Sequence, residues 1–238
     1  MAIIKLSGVD RVYRTNEIET VALENVNLEV EKGEFLSIMG PSGCGKSTLL
    51  NIIGLLDTPT KGTVEINGTL TGSMTDSALS HFRNTNIGFV FQFHQLLPEF
   101  TACENVALPA MIGGMSKKKA MQKASGLLDM LGLSERKNHK PAEMSGGERQ
   151  RAAIARAMIN DPEVIFADEP TGSLDSRNRD EIRNVIADLR DRLGQTFVIV
   201  THDLSMTSIA DRVISMADGH IIAEEEIHQG FPQLKNNC

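Results

Sequence analysis

Apolar and polar positions alternate in short runs through the early part of the chain. Val26-Asn27-Leu28-Glu29-Val30 has the period of a strand with one buried face. Gly62-Thr63-Val64-Glu65-Ile66 repeats that pattern and ends at Asn67-Gly68, a hairpin signal. Ile3–Leu6, Thr20–Leu23 and Ile87–Phe91 are further β-like runs, and Phe35–Met39 is mainly apolar. Together they predict an antiparallel region wrapped around the 35–39 strand. From about residue 93 to about 160 strand signals vanish. Ala120, Ala124, Leu127, Leu128 and Leu131 recur at helical spacing, with Gly132 placed to end that helix. Lys117, Lys118 and Lys119 stand near its start, where positive charge opposes the helix dipole, so they read as a solvated face. Beyond residue 163 strand and helix alternate. Val164–Ala167 and Phe197–Val200 are continuous apolar runs, as strands of a parallel sheet covered on both sides require. Ile182, Val185, Ile186 and Leu189 mark one face of a helix between them. Val213–Met216, Gly219 and Ile221–Ile222 read as a closing hairpin, and the residues after it as a polar tail.

One junction in this pattern carries chemistry. Gly40-Pro41-Ser42-Gly43-Cys44-Gly45-Lys46-Ser47 fits G-x-x-x-x-G-K-[ST], with a strand run before it and a helix start from Thr48 after it. Backbone amides in such a loop converge on an anion, helped by the positive end of the helix. Lys46 is placed to reach the β- and γ-phosphates, and the Ser47 hydroxyl to bind Mg²⁺. Asp168 follows the 164–167 strand directly, on the sheet edge that the phosphate loop shares. It is placed to hold Mg²⁺ through water. Glu169, beside it, is placed to polarise an attacking water. Met144-Ser145-Gly146-Gly147-Glu148-Arg149-Gln150 opens a second helix whose glycines form another anion nest. With one nucleotide per chain, the second nest is surplus. It gains a use if it closes over a nucleotide held by another copy.

Bulk properties narrow the class. The chain has 238 residues, 41% of them hydrophobic, enough for one large domain or a domain with a lobe. A net charge of −7 argues against nucleic-acid binding through bulk charge. No apolar stretch approaches the roughly 18 residues of a membrane span. The start of the chain lacks the plan of a signal peptide. A cytosolic location, or docking on a membrane through a partner, is expected. Cys44, Cys103 and Cys238 offer no metal spacing and no disulfide framework. Cys44, among helix-start amides, is expected to favour its thiolate and to alkylate readily unless ATP protects it.

With these motifs in this order, the chain resembles the nucleotide-binding subunit of an ABC transporter from about residue 3 to residue 222. Gln92 resembles the Q-loop glutamine, and Ser145–Gln150 the family signature. Asp168 and Glu169 match the Walker B pair, Ser173-Leu174-Asp175 the D-loop, and His202 the switch histidine. Tyr13 holds the place of the aromatic residue that stacks on adenine. The resemblance implies an α/β fold: a P-loop NTPase core (1–92 and 161–222) with an antiparallel β subdomain, an inserted α-helical lobe (93–160) and a polar tail (223–238). It implies a head-to-tail, ATP-dependent homodimer in which Ser145, Gly146 and Gly147 complete the partner's site. Gln92 would sense Mg²⁺ and the attacking water, and His202 would contact the γ-phosphate. His81, His94, His139, His220 and His228 lack such a setting and carry no assigned role.

The resemblance further implies a separate transmembrane permease subunit and a peripheral position on the cytoplasmic face of the inner membrane. Phe93, Leu96, Leu97 and Phe100 follow the Q-loop; they suit either an exposed cleft for a permease helix or the lobe's own core. The stretch from Gln92 to Val106 resembles the lipoprotein-releasing (LolD-type) branch, while Val9 to Asn25 looks equally like the macrolide-exporter (MacB-type) branch. Alternatives are a nucleotide-regulated ATPase of a cell-division or cell-wall complex, and a soluble ABC ATPase outside transport.

Overall fold

The computed structural model describes residues 2–15 and 18–227. In chain order, β1 (Ala2–Thr15), β2 (Ile18–Glu31) and β3 (Phe35–Met39) precede α1 (Lys46–Ile53). Then come β4 (Lys61–Ile66), β5 (Thr69–Leu70), α2 (Asp76–Asn86) and β6 (Ile87–Phe91). Three helices follow: α3 (Ala102–Ile112), α4 (Lys117–Met130) and α5 (Gly146–Met158). The last third contains β7 (Val164–Asp168), α6 (Ser176–Leu193), β8 (Thr196–Val200), the short α7 (Leu204–Thr207), β9 (Arg212–Ala217) and β10 (His220–Glu226).

Two sheets result. One is antiparallel, in the order β2-β1-β4-β5. The runs 20–23 and 26–30 are parts of one strand, interrupted at Asn25 with φ 48°. Asparagine tolerates that left-handed conformation better than most residues. The β4–β5 hairpin turns at Asn67 and Gly68, both at positive φ, as a tight primed turn demands. The second sheet has the order β10-β9-β3-β8-β7-β6, parallel except for the β9–β10 hairpin. Here the expectation for Ile87–Phe91 is corrected. It pairs parallel with β7 and is the edge of the second sheet, not part of the antiparallel region. The tail expectation also shifts, because strand β10 runs to Glu226. Cys238 and His228 lie outside the described residues.

Helix α1 is clamped between the sheets. Leu49, Leu50, Ile52 and Ile53 are buried in one core with Ile4, Val64, Phe166 and Val198. Each such side chain contributes about 1.5–3 kcal/mol on burial, so the loop feeding α1 is anchored from its far end. Helices α3 to α6 cover the other face, where Ala107, Leu128, Ile154 and Ile186 join Ile165 and Ile199. Lys117, Lys118 and Lys119 are exposed, the solvated face their position implies.

Candidate functional site

Register builds the site. Ile38 lies beside Val200, Val200 beside Asp168, and Asp168 beside Phe91. The chain leaving these four strand ends therefore meets at one edge. A cavity of about 580 Å³ opens there. The phosphate loop lines it through Gly40, Ser42, Gly43, Gly45, Lys46, Ser47 and Thr48. Gln92, Asp168, Glu169 and His202 complete that lining from the neighbouring strand ends. Thr20, Val21 and Ala22 of β2 close one side. No motif marks those three in the sequence; only the sheet arrangement brings them there.

Helix α1 starts without a side-chain cap and without an acidic residue in its first turn. Its cap residue is Gly45, at φ 105°, and a Cβ there would stand 2.5 Å from the Ala22 carbonyl oxygen. Only glycine fits a left-handed turn pressed so close to another strand. The amides that open α1 thus point at the cavity with no protein anion to meet them. Lys46 Nζ donates to the carbonyls of Gly40 and Pro41, 2.8 Å each, which holds the ammonium at the loop. Pro41 and Cys44 contribute backbone to this loop but do not line the cavity. Cys44 corrects an expectation: its side chain is buried, 4% exposed, in the core beneath the loop. Its Sγ lies under the loop, 3.9 Å from Lys46 Nζ, rather than open to the cavity.

The two carboxylates have different surroundings. Burial, then the neighbouring Glu169, push the Asp168 carboxyl above its usual range, while Lys46 and a hydrogen bond with Ser47 pull it back. Glu169 sits at φ 47°, a strained setting for a residue that is not glycine. Its Oε1 lies 2.7 Å from His202 Nδ1. Its Oε2 accepts from Thr201 Oγ1 at 3.3 Å and from the His202 amide at 3.4 Å. Thr201, buried and without a sequence signal, is therefore a further member of the site. The His202 ring itself is open to solvent.

Tyr13 and the signature residues lie outside this lining. Tyr13 pairs across the strands with Thr20, so it stands at the rim. Its hydroxyl donates to Asp57 Oδ2 at 2.9 Å, and the Arg11 guanidinium covers one ring face, 4.4 Å from the centroid. Ser145 caps α5, and a capping box satisfies the helix start. Ser145 Oγ accepts from the Glu148 amide, and Glu148 Oε2 accepts from the Ser145 amide at 2.7 Å. Burial opposes ionisation of Glu148, but Ser145 and Arg136 together hold its carboxyl at about 2. Gly147 packs where a Cβ would meet Asn178 Oδ1 at 2.1 Å. Asn178 is fixed in turn by Asp175, the cap of α6. Ser173 Oγ donates to the Gln92 carbonyl at 2.9 Å, tying the segment before α6 to the cavity.

An anion cradle, two carboxylates and a histidine on one sheet edge fit nucleotide hydrolysis, and comparison with known proteins agrees. The family model described as ABC transporter matches residues 23–172. This chain belongs to the ABC transporter family. The lipoprotein-releasing system ATP-binding protein LolD of Bacteroides thetaiotaomicron is 56% identical over 218 residues, 92% of this chain and 98% of that protein. The LolD protein of Cytophaga hutchinsonii is 50% identical over 220 residues, covering 92% and 99%. The ATP-binding cassette MJ0796, solved as a dimer in a post-hydrolysis state with ADP and Pi, superimposes with a TM-score of 0.87. It is 44% identical and covers 96% of this chain and all of that one. The architecture is the ABC ATPase fold, and the ABC protein described here is the ATP-binding and ATP-hydrolysing subunit that powers a transporter. Among its described residues no helix is long and apolar enough to cross a membrane.

Proposed function

We propose that this ABC ATPase drives release of lipoproteins from the inner membrane; its LolD relatives are named as ATP-binding proteins of a lipoprotein-releasing system. The observation that carries the catalytic part is the shared edge of β3, β8, β7 and β6. There the phosphate loop faces Glu169 and His202 across one cavity. The amides of Gly43, Gly45 and Lys46 cradle the β- and γ-phosphates, and Lys46 balances their charge. Tyr13 offers adenine the ring face that Arg11 leaves open. Ser47, Asp168 and Gln92 supply oxygen donors of the kind Mg²⁺ takes alongside phosphates, which fits that ion. When bound, Mg²⁺ would neutralise phosphate charge. Glu169 accepts a proton from water as the water oxygen bonds to the γ-phosphorus. The bond from that phosphorus to the β–γ bridging oxygen breaks, leaving ADP and phosphate. His202 holds Glu169 and meets the γ-phosphate.

Ser145, Gly146 and Gly147 stand apart from the cavity of their own chain. In this reading they close on the nucleotide of a second copy, head to tail. The permease would dock at a groove of about 450 Å³ lined by Leu56, Phe89, Gln95, Ile112 and Arg156. Phe93, Leu97 and Phe100 are exposed, whereas Leu96 packs on the core. Docking would place the chain peripherally on the cytoplasmic face. The division at residues 93 and 160 sets the helices beside this groove apart from the sheet edge.

Glu169→Gln is expected to bind ATP, to lose turnover by about 10²–10⁴-fold, and to accumulate as a dimer. Purifying that variant with ATP from solubilised membranes, followed by mass spectrometry, tests the transport role. A membrane subunit with a large extracytoplasmic domain supports lipoprotein release. Recovery of soluble partners only overturns it.

A further inference from the structure

The loop that leaves α1 is stitched back to β1. Leu55 turns left-handed at φ 57°, and the amides of Leu56 and Asp57 both donate to the Asn51 carbonyl, at 2.8 and 3.1 Å. Asp57 is thereby fixed to the last turn of α1. Farther on, the Thr60 amide donates to the Asp10 carbonyl at 2.8 Å, and Thr60 Oγ1 accepts from the Val12 amide at 3.0 Å. Two β1 side chains, Arg11 and Tyr13, complete the seam, and both end on Asp57.

Asp57 is shared between them. Arg11 Nε donates to its Oδ2 at 2.9 Å, and Arg11 Nη2 lies 2.8 Å from its Oδ1. This is the two-bond pairing that a guanidinium makes with a carboxylate and an ammonium cannot. The Tyr13 hydroxyl donates to the same Oδ2, also at 2.9 Å. The guanidinium then backs one face of the Tyr13 ring, 4.4 Å from its centroid. Arg11 and Asp57 are partly buried, whereas Tyr13 is exposed. The ring is tied at its hydroxyl and supported on one face, which leaves the other face for a ligand.

We propose that Asp57 is a positioning residue for base binding: with Arg11 it stations the Tyr13 ring, so that α1 fixes both ends of the bound nucleotide. The inference rests on the reading above that Tyr13 meets adenine. The start of α1 feeds the phosphate cradle, and Asp57 is bonded to its far end. The helix between has eight residues, a length of roughly 12 Å. A rigid element therefore sets the spacing between the phosphate site and the base site. Neither Asp57 nor Arg11 lines the cavity; each acts through the tyrosine. A ring stationed before the ligand arrives gives up less freedom on binding, so more of its stacking appears as affinity. A polyphosphate without a base gains nothing from it.

The test uses the full chain. ADP affinity is read by calorimetry, and the affinity of inorganic pyrophosphate, a probe without a base, by competition against ADP. Asp57→Ala frees both the hydroxyl and the guanidinium. It is expected to weaken ADP binding about threefold and to leave pyrophosphate binding within about 1.5-fold. Tyr13→Phe, which keeps the ring and drops the tie, is expected to weaken ADP binding about twofold. Asp57→Ala added to Tyr13→Ala is expected to change nothing further, as a residue acting through another behaves. Parental ADP affinity in Asp57→Ala or Tyr13→Phe, with Tyr13→Ala still weakened, overturns the clamp and leaves the stacking reading standing. Parental affinity in Tyr13→Ala overturns the stacking reading and the clamp together. A matching loss of pyrophosphate affinity in Asp57→Ala overturns the clamp by revealing general damage. A further loss when Asp57→Ala is added to Tyr13→Ala overturns it by showing that Asp57 does not act through the tyrosine.

Discussion

The starts of α1 and α5 are both glycine-rich helix openings, and they differ in what meets their amides. Helix α1 begins at Gly45 with no capping side chain and no acid in its first turn. Helix α5 begins at Ser145 inside a complete capping box, with Glu148 bonded back to the Ser145 amide. The first opening is a set of donors with no protein acceptor, which is what an anion site must be before its ligand binds. The second is already satisfied by its own carboxylate. Its spare capacity is the Ser145 hydroxyl hydrogen and the first-turn amides of Gly146 and Gly147. An opening of that kind adds contacts to a phosphate already held elsewhere. The difference teaches that two nests of similar sequence have unequal duties, one binding and one closing.

Four substitutions would break or sharpen this contrast. Lys46→Ala removes the charge from the binding nest and should lower ADP and ATP affinity by more than about 100-fold, since a buried charged contact is worth several kcal/mol. Calorimetry showing near-normal affinity would remove the duty assigned to α1. Ser145→Ala acts on the closing nest. It should cost about 1 kcal/mol of stability through the lost cap and weaken ATP-driven dimerisation about tenfold, with ADP affinity unchanged. A drop in ADP affinity would mean that both nests bind. Tyr13→Ala touches neither nest and should weaken nucleotide binding only about fivefold through lost stacking; unchanged affinity removes the stacking role.

The smallest effect is a pH signature. Glu148 is held at about 2 against an ordinary 4.5. A lowered carboxyl adds stability above its unfolded value, and that stability is lost as pH falls. The melting-temperature gap between the native chain and Glu148→Gln should be constant above about pH 4.5 and close as pH falls toward 2. A gap that persists at the acid end would show that packing, not charge, caps α5.

The phosphate loop, the strand-end carboxylates and His202 were legible in the sequence because each follows an apolar run directly. Their convergence depends only on neighbouring parallel strands ending at one level. Helix α2 gave no such signal. It buries no residue completely, so its apolar period is faint. The run 87–91 read as a strand, but its partner β7 lies far along the chain, and local alternation carries no pairing information. Cys44 was misjudged for a related reason. Helix-start amides are local, whereas the core that swallows its sulfur is assembled from both sheets. The Arg11 fork on Asp57 spans 46 positions and leaves no trace in any short window.

Glu169 is held in a strained backbone conformation with both carboxylate oxygens engaged by Thr201 and His202. Contacts from Thr201 and His202 take up both acceptor sites of Oε2 and one of Oε1, which leaves a single Oε1 lone pair free. The base is sighted like a fixed lens: its neighbours choose the one direction from which it can be approached. Substitution at Thr201, far less conspicuous than the carboxylate it steadies, would blur that aim without removing the carboxylate.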